Sequence, residues 1–341
     1  MKTDAVTLDE IDRGLVHALQ IEGRAPLRLV GQVLGVSENT VARRYRRLRA
    51  AGILRVVGSL NGARLGYQAW TIRLQCTPDA AEPIAKALAA RTDTSYVHLL
   101  SGGTEISCST QTPSTEESEA LLLHKLPRTS RVTAVSAHLL LGHYALPNTW
   151  AGPARLSADQ IALLAPPSPA SPSASPSASP SVVAAAEDGA DGLSPGDRPL
   201  FDLLSRDGRA THAELAAATG WSESTVRRRL TALRRAGLLA FLADIPPAAL
   251  GFRTEARLWL SVRPSQLATV AAAMADHPEV SLVALTTGPS NLLAAVNCRD
   301  PLDLSRYLTE RIGSLEAIRS IETAPVIRTV KRAGALLPPV R

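Results

Sequence analysis

Apolar residues Leu8, Ile11, Leu15, Val16, Ala18 and Leu19 recur three and four positions apart, which predicts a helix that Gly23 closes. Pro26 opens a second helix with Leu27, Leu29, Val30, Val33 and Leu34 on its inner side. Gly35-Val36-Ser37 makes a tight turn, and the Ser37 hydroxyl caps a third helix running from Glu38 to about Ala50. Val41, Tyr45 and Leu48 mark the buried side of that helix, and Arg43, Arg44, Arg46, Arg47 and Arg49 the exposed one. From Ile53 to Val57 the pattern turns strand-like. It then predicts strands over 69–76, 95–100, 105–111 and 132–141, with helices over 79–90 and 115–125.

The whole pattern occurs twice. Leu8-Asp9 recurs at Leu193-Ser194, 185 positions later (193 − 8), and so do Asp12 at Asp197, Gly23-Arg24 at Gly208-Arg209, and Leu65-Gly66 at Leu250-Gly251. After one inserted residue, Ser101-Gly102 corresponds to Thr287-Gly288. A period this long indicates duplicated domains, not a solenoid. In the second copy, helices are expected over 195–206 and 212–219, with Gly220-Trp221-Ser222 as the turn before the third. Then come strands over 255–262, 280–286, 291–297 and 318–330 and helices over 264–275 and 301–311. Strand-helix-strand-strand-helix-strand is the ferredoxin-like order. The fold class is therefore α+β: two winged or plain helix-turn-helix domains (5–60 and 193–245), each followed by a ferredoxin-like domain (65–145 and 250–335). Residues 151–192, rich in Pro, Ser and Ala, read as a disordered tether. A short helix fits 156–164.

Composition narrows the function classes. The chain has 341 residues with 37 Lys+Arg against 31 Asp+Glu, an excess too small to mean anything unless it is clustered. Cys76, Cys108 and Cys298 are isolated, which fits a reducing compartment and neither a disulfide framework nor a zinc site. The first residues lack the apolar core of a secretion signal, and no apolar run is long enough to span a bilayer. A cytoplasmic location is expected, without a membrane partner. The histidines are scattered, no residues approach a catalytic triad, and the aromatic content of 4% argues against stacking on single strands. No catalytic residue, metal or cofactor is expected.

The charge is clustered, on the third helix of each copy. Arg227, Arg228, Arg229, Arg234 and Arg235 repeat the arginine face of the first copy without interleaved acids. A helix, a short glycine turn and an arginine-loaded helix form the helix-turn-helix pattern, whose third helix lies in the major groove of double-stranded DNA. The expected contacts are Ser37, Glu38, Asn39, Thr40, Arg43, Arg44 and Arg47 in the first copy. In the second they are Ser222, Glu223, Ser224, Thr225, Arg227, Arg228 and Arg229. Residues at the start of each helix would reach base edges, and later arginines phosphates.

A helix-turn-helix ending in Ala51-Gly52-Ile53-Leu54, then Leu65-Gly66-Tyr67 leading into a ferredoxin-like domain, resembles the Lrp/AsnC family of transcriptional regulators. The resemblance covers both copies. It implies regulation of transcription, with a second domain that carries oligomer contacts and an effector site for an amino acid or small metabolite near the turn between the second and third strands. Here that turn holds Gly102, Gly103 and Glu105, and Gly288 and Asn291, where the family usually has an aspartate in place of Glu105 and Asn291. The two ferredoxin-like domains are expected to pack as an intramolecular pseudo-dimer, with further homo-oligomerisation. Sirohaem decarboxylases share the architecture and are the enzymatic alternative. Their His- and Tyr-rich segment corresponds to Gly66-Tyr67-Gln68-Ala69-Trp70 and Gly251-Phe252-Arg253-Thr254-Glu255, which contain no histidine. A ligand sensor with relic helix-turn-helix units is the other alternative.

Overall fold

The first copy begins with a helix that an acidic residue caps: the Asp9 side chain accepts from the Asp12 amide, and the Asp12 side chain from that of Asp9. The computed structural model describes residues 8–119, 131–147, 150, 152, 155–164, 193–333 and 335–336. The first copy runs α1 (Glu10–Ile21), α2 (Leu27–Leu34), α3 (Glu38–Ala50), β1 (Arg55–Leu60), β2 (Gln68–Cys76), α4 (Ala81–Ala89), β3 (Thr94–Leu100), β4 (Glu105–Thr112), α5 (Thr115–Glu119) and β5 (Val132–Ala145). After α6 (Ala158–Leu164) come α7 (Asp197–Leu204), α8 (His212–Thr219), α9 (Glu223–Arg235) and β6 (Leu239–Asp244). The second copy closes with β7 (Thr254–Val262), α10 (Leu267–Ala275), β8 (Val280–Thr286), β9 (Leu292–Cys298), α11 (Pro301–Arg306), β10 (Ile318–Arg332) and β11 (Ala335–Leu336). Most of the predicted tether and the second half of the helix predicted over 115–125 lie outside the described residues.

The described residues form two units that cut across the copies. One joins both helix-turn-helix segments. In it β1 and β6 pair antiparallel, from Arg55 opposite Asp244 to Leu60 opposite Leu239. Arg24 donates to the carbonyls of Gly208 and Ala210, both at 2.9 Å, and Arg209 returns the same contacts to Gly23 and Ala25 at 2.7 and 3.0 Å. Arg49 pairs with Asp207 and Arg234 with Glu22, again a reciprocal set. These contacts relate the copies as the halves of a twofold dimer. Arg24→Ala should lower stability by roughly 2 kcal/mol, because it removes two charge-assisted hydrogen bonds from half-buried carbonyls. An unshifted urea midpoint would contradict the assignment.

Gly23 has another role than the one expected. Glu22 caps α1, and Gly23 has no positive φ. A Cβ on Gly23 would lie 2.9–3.0 Å from Cβ and O of Phe241 in β6, so glycine is needed there for close approach. Helix α6 also belongs to this unit. Gln160 donates to the Val33 carbonyl (2.7 Å), and His17 Nδ1 accepts from the amides of Arg155 and Leu156 (both 3.2 Å), which straps the segment to the first copy.

The other unit holds both ferredoxin-like repeats in one antiparallel sheet. Its order is β10-β3-β4-β2-β5-β8-β9-β7, and β7 pairs back onto β10, so eight strands close into a ring, with β11 adding a short hairpin to β10. The last strand of each repeat begins beside its own repeat and finishes on the other: β5 passes from β2 to β8, and β10 from β7 to β3. Irregularities at Leu140/Gly142 and Val326/Arg328 mark these transfers, as bulges do where strands bend. Outside the ring, α4 covers Ile72, Leu74, Val97 and Ile106, while α10 covers Leu258, Leu260, Leu292 and Val296. Inside, Leu100, Trp259, Leu293 and Ala324 form a third cluster where the two repeats meet.

Candidate nucleic-acid interface

Two helices of thirteen residues each, α3 and α9, carry the arginines. Each follows a glycine in the left-handed region, Gly35 (φ 67°) or Gly220 (φ 73°), which ends the preceding helix as side chains other than glycine rarely can. The Ser37 hydroxyl then accepts from the Thr40 amide, and that of Ser222 from the Thr225 amide, both at 3.2 Å. These hydroxyls also bond those of Thr40 and Thr225 at 2.9 Å. The four capping residues therefore hold the helix starts, and Glu38, Asn39, Glu223 and Ser224 lie exposed beside them. Val41, Tyr45 and Leu48, and Val226, Leu230 and Leu233, form the buried faces.

The arginines divide into two groups, which the sequence did not separate. Arg43, Arg46, Arg227 and Arg228 are exposed, and among the described residues none of them pairs with an acid. Arg44 and Arg229 point inward, their side chains only 19% and 17% exposed. Arg44 donates to Asp9 (2.6 Å) and to the wholly buried Asp12 (3.0 Å), and Arg229 grips Asp197 through Nε (2.8 Å) and Nη2 (2.6 Å). Both were expected at DNA; the structure uses them to fasten each arginine helix to the first helix of its copy. Arg47, half exposed, also reaches Asp12 at 2.5 Å.

Burial pushes the Asp197 carboxyl up, but Arg229 and the Ser194 amide outweigh it and hold it below the usual carboxylate range. A carboxyl with a lowered folded pKa stabilises the fold above its ordinary value near 3.8, and loses that contribution as the pH falls through the folded value. Asp197→Asn should cost roughly 3 kcal/mol at pH 7, since it strands the Arg229 guanidinium against a neutral partner. The gap to the parent should narrow in melts at pH 3. An equal gap at both pH values would show that the charge is not the cause.

The expected effector turns have internal partners as well. Gly102 and Gly103 take φ of 78° and 85°, and Gly288 takes 101° with its α-carbon against the His138 ring. Glu105 is buried and bonded to Arg73, which also clamps Glu322 and lies 4.0 Å from the centre of the Trp259 ring. The Asn291 side chain accepts from the Val262 amide (2.9 Å) and donates to its carbonyl (2.8 Å). Thus Glu105 holds Arg73, which ties one repeat to the other through Glu322, and Asn291 ties the turn to β7.

Comparison with known proteins agrees with this geometry. The model of the AsnC-type helix-turn-helix domain matches residues 8–49 and 194–234, and that of the Lrp/AsnC ligand binding domain matches residues 255–336. An uncharacterized HTH-type transcriptional regulator of Pyrococcus abyssi is 32% identical over 139 residues, which are 40% of this chain and 87% of that protein. The chain belongs to the Lrp/AsnC family of transcriptional regulators. Another relative, the HTH-type transcriptional regulator FL11 of Pyrococcus horikoshii, is 30% identical over 141 residues, 41% of this chain and 93% of its own length. Such relatives span one copy, and the Lrp/AsnC helix-turn-helix occurs twice here. Over the full length, the crystal structure of the siroheme decarboxylase NirDL shares the fold, with a TM-score of 0.59, 16% identity, and coverage of 95% of this chain and 93% of that one.

Sequence reasoning missed the residues that build the paired arrangement: Asp12 and Asp197, Arg24 and Arg209, Glu22 and Asp207. The signal was present for most of them. Asp12, Arg24 and their counterparts fall on the repeat offset, and a polar residue kept in both copies at a helix-facing position is a candidate partner for the arginines.

Proposed function

We propose that this Lrp/AsnC regulator binds double-stranded DNA in a sequence-dependent manner through α3 and α9, as a single chain doing the work of a dimer. The observation that carries this reading is the pair of exposed, acid-free arginine sets, Arg43 with Arg46 and Arg227 with Arg228, on helices that Arg44 and Arg229 hold in place. Asn39, Glu38, Ser224 and Glu223 sit where base edges would be read, and the arginines reach phosphates and guanines. The two faces differ. Position by position, α3 has Ala42, Arg46 and Arg47 where α9 has Arg227, Thr231 and Ala232, so the preferred site is an imperfect palindrome. An amino acid or small metabolite tunes binding by favouring one arrangement of the helices over another. The reading is regulatory, not enzymatic; likeness to NirDL at 16% identity concerns the fold.

Selection of bound duplexes from a random pool by the full chain tests this. Enrichment of a two-part site with unlike halves is expected, with affinity falling steeply with salt as phosphate contacts release counterions. Failure to enrich any duplex, or an affinity independent of salt, would overturn it. Conversion of sirohaem by the purified chain would favour the enzymatic alternative.

A further inference from the structure

The eight-stranded ring is built on a twofold pattern but not filled symmetrically. Strand positions of the two repeats correspond at an offset of 186 (257 − 71), and the registers match: Thr71 lies opposite Ser109 as Arg257 lies opposite Ala295, and Thr329 opposite His98 as His143 opposite Ala284. At one of the two equivalent places stand Arg257, His98, Tyr96, Glu255 and Arg332. At the other stand Thr71, Ala284, Leu282, Ala69 and Leu146. One place carries two arginines, a histidine and a glutamate, whereas its twin has threonine, alanine and leucine at those positions and His143 where the first has Thr329.

Arg257 and Trp259 share a face of β7, so Arg257 belongs to the inner side of the ring. Its guanidinium donates to His98 Nε2 at 2.7 Å. That contact requires Nε2 to be unprotonated, so the ring proton sits on Nδ1 and is donated to Thr329 Oγ1, 3.1 Å away. Tyr96 stacks beside His98, with ring centres 6.2 Å apart and planes inclined by 19°. His98 is buried, and its burial and the charges of Arg257 and Arg332 keep it neutral, well below the usual imidazole range. Arg257 thus faces an imidazole, and among the described residues no carboxylate lies within ion-pair reach of it. Arg73, on the inner face of β2, differs: it holds both Glu105 and Glu322. The Glu255 charge, two residues along the strand, acts on Arg257 without a direct ion pair, and a half-buried guanidinium with donors left over is an arrangement that an anion in contact would relieve.

We propose that the place around Arg257, His98 and Tyr96 is a binding site for a small monocarboxylate, present once per chain. The carboxylate pairs with the Arg257 guanidinium donors that His98 does not take, and the Tyr96 ring flanks whatever it carries. Glu255, two residues along the same strand face, repels a second negative charge and so selects against dicarboxylates. The site needs neither the glycine turns nor the arginine helices, and it would stand if no duplex were bound.

Saturation-transfer NMR on the full chain, with acetate, benzoate, L-leucine and succinate as separate probes, tests the site. A His98 Cε1–H resonance followed in histidine-labelled protein provides the second readout. Saturable binding of at least one monocarboxylate with a shift of His98, and weaker binding of succinate, is expected. Arg257→Gln should weaken it by about tenfold or more, Arg257→Lys by less, and Thr71→Val, at the equivalent place, not at all. No saturable binding by any monocarboxylate would overturn the proposal, as would binding that leaves His98 unshifted or an Arg257→Gln variant that binds like the parent. Should Arg257→Gln fail to fold, the His98 shift in the parent chain decides by itself.

Discussion

Replacing Arg43, Arg46, Arg227 and Arg228 together by alanine is expected to abolish duplex binding while leaving the fold as stable as before. All four side chains are exposed and, among the described residues, lack an acidic partner; Arg46 reaches only the Ala42 carbonyl of its own helix, at 3.3 Å. Removing them breaks no buried contact. Each lost phosphate contact lowers the slope of log affinity against log salt by about 0.9, and each lost contact to a base costs about 1–3 kcal/mol. Together the four should lower affinity by roughly a thousandfold or more. Fluorescence anisotropy with the selected duplex reads the loss, and circular dichroism melts check the fold. Arg44→Ala and Arg229→Ala supply the contrast, because they should lower the melting temperature and leave the salt slope nearly unchanged. If the quadruple variant bound like the parent, the interface would lie elsewhere.

Gly208→Val should separate the two helix-turn-helix segments without touching either arginine face. A Cβ at residue 208 would lie 2.7–2.9 Å from the backbone C, Cα and N of Val57, and the Gly208 amide already donates to the Val56 carbonyl at 2.7 Å. Val57 sits within the β1–β6 ladder and cannot give way cheaply. Overpacking of this kind costs about 1–3 kcal/mol. Once the pairing is loosened, the second half-site is no longer met by a prepositioned helix, and affinity for a full site should fall roughly a hundredfold as effective concentration is lost. A single half-site should be bound almost as before. Equal loss on full and half sites would mean that residue 208 affects one domain and not the pairing.

Much of this was legible along the chain, because it is local chemistry. Ser37 and Ser222 before an arginine-loaded helix, glycine at residues 35 and 220, and the alternation that marks β2, β3 and β4 depend on residues within a few positions of each other. The repeat made the reading stronger still, since each element was seen twice. Misreadings came where distant segments meet. Gly23 looked like a helix end, yet it is glycine because β6 passes close to it. Arg44 and Arg229 looked like their neighbours on the same helices, yet a buried aspartate thirty-two residues upstream claims each of them.

The identity of the helices follows from periodicity and capping and the duplication from the repeat offset, while the family is a resemblance carried by Ala51-Gly52-Ile53-Leu54 and Leu65-Gly66-Tyr67. That the two ferredoxin-like domains pack together was expected; the form of their pairing was not. Whether two small open sheets join edge to edge, stack, or exchange their last strands depends on how 14- and 15-residue strands bend at β5 and β10, and no single repeat carries that information. Closing the ring is what brings Arg257 to His98 across 159 residues and leaves Thr71 and Ala284 at the matching place. Two copies of nearly one pattern make the frame symmetric, and a few substituted inward-facing side chains make its interior asymmetric, because burial turns a charge without a contacting counter-charge into a demand for one.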